Sequence, residues 1–132
     1  MQKKDIDTLG LTNEGRQMLE SLHDAGIIKE LSDGYRLAIT LAIKRDLEPA
    51  PENIHTVTFV NVGSLDGDQT LRDLVAILRP ESSDAPYRYI ERLADAGLTE
   101  LTKIQAKGQI RFADLFKEDL DSTTLNTPQI NT

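Results

Sequence analysis

Ser32-Asp33-Gly34-Tyr35-Arg36-Leu37-Ala38-Ile39-Thr40-Leu41-Ala42-Ile43-Lys44 is the stretch on which the fold turns. Its apolar residues fall on more than one face of a helix, whereas a surface helix keeps them in a single stripe. The segment therefore predicts a central helix buried on two sides. Ser32 is the expected N-cap, because its hydroxyl can accept from an exposed amide of the first turn. Lys44, Arg45 and Glu48 return the chain to water. Pro49 and Pro51, which cannot continue a helix, set the expected end.

Upstream, Thr12 caps a predicted helix whose Met18, Leu19, Leu22 and Ala25 recur at helical spacing. Gly26 closes it as a residue able to turn left-handed. Downstream, His55 to Val62 reads as a strand. Val57 and Phe59 alternate with Thr56 and Thr58, and the phase then shifts at Val60 and Val62, as a bulge or a change of face would require. Its expected pairing partner is Ile110 to Phe112 or another chain. After the turn at Gly63-Ser64-Leu65-Asp66-Gly67, a helix follows Asp66 or Asp68 with Leu71, Leu74, Val75 and Leu78 on one face. Pro80 and Ser82-Ser83 break it. Pro86 opens another helix, with Ile90, Leu93 and Ala94 as its stripe and Gly97 as its end. Thr99 caps a further one containing Leu101 and Ile104, closed by Gly108. Ile110 to Phe116 reads as a short strand or helix.

The expected fold class is mainly α with a minor β component, a compact helical domain with one or two short strands. Residues 1–118 are read as one domain around one shared core, with residues 52–118 supplying the strand and the later helices. Residues 119–132, rich in Thr, Asn, Gln and Asp, are read as a polar tail that is disordered in isolation.

Composition narrows the function classes. The 132 residues suffice for one core, and 39% apolar with 28% charged residues suits a globular chain. With no cysteine there are no disulfides, no thiolate chemistry and none of the usual structural zinc sites. Met1 to Asp7 is polar, and the longest apolar run, Leu37 to Ile43, is far shorter than the ~20 residues of a membrane helix. These features lead to an expectation of a cytoplasmic protein without a membrane partner. A formal charge of -7 disfavours non-specific attraction to phosphate.

Motifs for chemistry are sparse. His23 and His55 have no local partner that would set up proton transfer. Asp66-Gly67-Asp68 lacks the spacing of a calcium loop and reads as an acidic cap for the helix after it. The same turn has no lysine, so it is no phosphate cradle. No catalytic, cofactor-binding or metal-ligating residues are assigned, and the chain is not expected to be an enzyme. Leu22-His23-Asp24-Ala25-Gly26-Ile27 is similar to Leu93-Ala94-Asp95-Ala96-Gly97-Leu98. We read two helices stopped alike at glycine in preference to an internal duplication.

Residues 3–48 resemble the ribbon-helix-helix family. The resemblance lies in a polar run at Lys3 to Leu9, a helix ending at Gly26, the pair Ile27-Ile28, and Ser32 through Ile39 as the start of the second helix. It implies an intertwined dimer in which the N-terminal strands pair between copies, with Tyr35, Leu37, Ile39, Leu41 and Ile43 at the oligomer interface. It also implies DNA binding, for which Lys3, Lys4, Arg36, Lys44 and Arg45 are the candidate contacts. The chain departs from the family where DNA would be read. Asp5 and Asp7 lie in the strand region, and residues 1–48 hold seven basic against nine acidic side chains. Two functions follow as expectations: a non-catalytic, oligomeric interaction or accessory protein of a larger complex, or a ribbon-helix-helix-like transcriptional regulator.

Overall fold

A computed structural model describes residues 5–51 and 57–106. The protein is mostly helical with one small antiparallel sheet. The order is β1 (Thr8–Leu11), α1 (Asn13–Asp24), α2 (Leu31–Lys44), β2 (Val57–Asn61), a single helical turn α3 (Val62–Leu65), α4 (Thr70–Leu78), a 3-10 turn at Pro80–Ser82, and α5 (Pro86–Ala106). The expected element at Ile110 to Phe116, the polar tail, Gly108, Lys3, Lys4 and His55 lie outside the described residues.

Helix α1 starts and stops as its sequence indicates. The Thr12 hydroxyl accepts from the Gly15 N–H at 2.9 Å. At the other end Gly26 has φ +76°. The Ile27 N–H reaches back to the Leu22 carbonyl and the Gly26 N–H to the His23 carbonyl, the paired bonds of a Schellman turn. Replacing Thr12 with Ala leaves the Gly15 N–H without its cap. A loss of about 1 kcal/mol is expected, read as a lower urea midpoint.

Helix α2 is bounded differently from expectation. It begins one residue before Ser32, and its cap is Glu30, whose N–H donates to the Asp33 carboxylate at 3.0 Å. Asp33 thus reaches back as the third residue of a capping box does, and Ser32 falls inside the first turn. The helix also ends well before Pro49. Asp46 takes φ +53°, and the Leu47 N–H bonds to the Ala42 carbonyl in a second Schellman turn. The end is therefore set by a left-handed aspartate, and the prolines act only on the connection that follows.

The strand β2 pairs antiparallel with β1 of the same chain. Of the expected partners, Ile110 to Phe112 lies outside the described residues. Leu9 faces Val60 and Gly10 faces Thr58, so Phe59 is the extra residue of a β-bulge. This accounts for the phase shift in the sequence. The bulged Phe59 ring lies 5.1 Å from that of Tyr35, with the Arg16 guanidinium 5.8 Å from its centre.

Where two helices were expected around Gly97, a single helix of 21 residues runs from Pro86 to Ala106. Its first amides are capped from the opposite end of the chain: the Tyr87 and Arg88 N–H groups donate to the two Asp5 carboxylate oxygens at 2.9 and 3.0 Å. Gly97 does not stop this helix because it faces α2 at contact distance. A Cβ there would overlap the Ala38 carbonyl and lie 2.8 Å from the Ala38 Cα. The two similar hexapeptides therefore do unlike jobs, one closing a helix and one letting two backbones touch. One core joins Leu9 and Leu11 of β1, Leu19 and Leu22 of α1, Tyr35, Ile39 and Leu41 of α2, Val75 of α4, and Ile90, Leu93, Leu98 and Leu101 of α5.

Candidate functional site

The basic residues expected on DNA do not converge. Lys3 and Lys4 are not described. Arg36, near the start of α2, donates to the Leu65 carbonyl at 3.0 Å and lies 3.6 Å from Asp33. Arg45 pairs with Glu100 of α5 at 3.2 Å. Lys44 is exposed, two helical turns and ~12 Å of axial rise away from Arg36.

The residues expected at an oligomer interface lie in or against the core of the single chain. Tyr35, Ile39 and Leu41 are fully buried, Leu37 is nearly so, and Ile43 is half-buried against the same core. The two-sided burial read from the sequence is met within one chain, because α1 covers part of α2, α5 covers another part, and the Tyr35 hydroxyl bonds to the Gly10 carbonyl of β1. These residues leave little surface for a second copy.

The remaining expectations sort by geometry. His23 is exposed and its Nδ1 lies 3.5 Å from Asp24. Asp66 and Asp68 cap α4: Asp66 accepts from the Leu71 and Arg72 N–H groups, and Asp68 from that of Thr70. Asp66 is also buried and accepts from the Tyr87 hydroxyl at 2.8 Å. Among the described residues no three His, Cys, Asp or Glu side chains are grouped to hold a metal ion. None of the helices described is long and apolar enough to cross a membrane.

A polar cleft of about 460 Å³ lies between the end of α2, the 3-10 turn and α5. Arg79 donates to the Tyr89 hydroxyl, the Asp46 carboxylate and the Leu47 carbonyl at 3.0 to 3.2 Å. The Tyr89 hydroxyl in turn donates to Glu81 at 2.7 Å, and Arg92 Nε donates to the Ala50 carbonyl at 2.6 Å. The hydrogen bond from Tyr89 holds Glu81 below the usual carboxylate range. Burial, followed by the Glu81 contact, raises Tyr89 above the ordinary phenol value. Both groups are thus moved away from neutrality, where an acid–base catalyst works best. The network clamps the connection after α2 onto α5, and its polar groups serve one another.

The surface of α4 is different. With Val75 turned into the core, exposure grows around the helix: Leu71 is half-buried, Leu78 is 48% and Leu74 47% exposed, and Ile77 is 75% exposed. At 100° per residue the apolar arc spans about 160°. The sequence placed Leu71, Leu74, Val75 and Leu78 on one face. Only Val75 is in the core, because α4 lies at the edge of the domain. Ile77 was missed, since nothing local tells which flank of a broad arc a neighbour covers.

Searches of protein-family models, curated proteins and solved structures find no match to this chain.

Proposed function

We propose that this protein is a non-catalytic interaction module that associates with a second copy of itself through α4. The observation that carries the proposal is the exposed ridge of Leu74, Ile77 and Leu78 on a helix otherwise docked against the core. Exposed apolar residues placed side by side are the usual core of a contact surface. Local charge permits a second copy. Residues Thr70–Leu78 contain one arginine and one aspartate, and Arg72 donates twice to the Asp73 carboxylate. The ridge is thus locally neutral on a chain of formal charge -7. A two-fold contact sets the same patch against itself, so no bare like charges oppose each other there. Three side chains make a small hot spot, which fits a weak, concentration-dependent dimer. Such a dimer uses a different surface from the one the ribbon-helix-helix resemblance implies.

The absence of native cysteine offers a direct test. Ile77→Cys, under mild oxidation, is expected to give a disulfide-linked dimer far faster than a cysteine placed at exposed Asn13. Equal rates of crosslinking at the two positions would argue against the α4 contact.

The regulator alternative needs cations arrayed toward phosphate. Arg36 and Arg45 spend their charge on Asp33 and Glu100, so this alternative has less support.

A further inference from the structure

Gly10, beside the sheet bulge, is clasped from two helices. Its N–H donates to Glu91 Oε2 of α5 at 2.7 Å, and its carbonyl accepts from the Tyr35 hydroxyl of α2 at 3.0 Å. One turn further along α5, Asp95 is 2% exposed, and neither of its carboxylate oxygens has a hydrogen-bond partner. A buried charge left in that condition is costly, and the ordinary relief is to take up a proton or to move into water.

The groups that bear on Asp95 come from each side. Glu91 lies on its own helix, Tyr35 faces the pair from α2, β1 presents the Gly10 N–H to Glu91, and the Thr12 N–H approaches from the entrance to α1. Of these, only the Thr12 N–H favours an ionised Asp95, and it lies outside hydrogen-bond geometry. We propose that Glu91 and Asp95 form a proton-operated latch on β1, closed when Asp95 is protonated and loosened when it ionises beside Glu91. Protonated, Asp95 is a neutral group in a dry core. Ionised, it is a second carboxylate one helical turn from Glu91, and swinging the pair toward water breaks the bond to Gly10.

Burial first, and Glu91 second, push the Asp95 carboxyl up to about 7. The closed state therefore holds more protons than the open one between the ordinary carboxylate value and about 7. Its advantage is complete at the acid end of that window and is lost as pH rises through about 7, by up to tenfold per pH unit.

The test is amide hydrogen exchange across that range, with protection factors corrected for intrinsic rates. In the natural protein, protection of Gly10 and Leu11 is expected to fall with rising pH, by up to tenfold per unit, more steeply than protection in the middle of α2. In Asp95→Asn, and equally in Asp95→Leu, the β1 fall should vanish. An unchanged β1 slope in both variants would overturn the latch. So would a natural protein in which β1 and α2 lose protection in parallel, since Asp95 would then set global stability alone.

Discussion

Gly97→Ala is expected to destabilise this protein by about 3 kcal/mol or more, although alanine is the better helix former by about 1 kcal/mol. The added methyl meets the Ala38 carbonyl, which is backbone inside α2 and cannot rotate aside. Relief requires α2 and α5 to separate. That opens contacts around Ala38, Ile39, Leu93 and Ala94, all fully buried. For a domain of marginal stability the loss is a large share of the total. Urea unfolding followed by circular dichroism reads it directly. Gly26→Ala is the internal comparison: no atom lies within 4 Å of its Cβ position, and the cost is only that of φ +76°, about 1 kcal/mol. If Gly97→Ala cost no more than Gly26→Ala, the close packing of α5 on α2 described above would be wrong.

Asp66→Ala has the second large effect. Three donors converge on this buried carboxylate: the Leu71 and Arg72 N–H groups at 2.9 and 3.0 Å and the Tyr87 hydroxyl at 2.8 Å. Removing it strips the cap from α4 and leaves a buried phenol unpartnered, for an expected loss of about 3 kcal/mol. A second readout separates this cause from general loosening. Tyr87 is raised to about 12, by burial first and by the hydrogen bond to Asp66 second. Spectrophotometric titration of the variant while still folded should show that phenol ionising at lower pH, but still above the ordinary value because the burial remains. An unmoved phenol titration would break the assigned pairing.

Features legible in the sequence were those set by near neighbours. Thr12 and Gly26 bound α1 through groups three to five residues away, and Asp66 and Asp68 cap the helix that directly follows them. The phase shift at Val60 marked the bulge because a strand's two-residue period is local. Partners distant along the chain were not legible. Asp5 read as a charge ill-suited to a DNA-reading strand, yet it caps α5. Gly97 looked like Gly26 in its hexapeptide and differs only because Ala38 lies against it. Asp95 sits in the matching position to exposed Asp24, and only the folded chain shows it in the core. The α4 ridge was half visible: its apolar residues were evident, but which of them the core covers depends on where the helix docks.

Sedimentation equilibrium across the micromolar range, on the natural protein and on Ile77→Asp, tests self-association through α4 most directly. The natural protein is predicted to rise in apparent mass toward that of a dimer as concentration increases. Ile77→Asp, which changes a side chain 75% exposed and so should fold normally, is predicted to stay at the monomer mass. A natural protein that remains monomeric throughout, or an Ile77→Asp variant that dimerises equally well, would contradict the proposal.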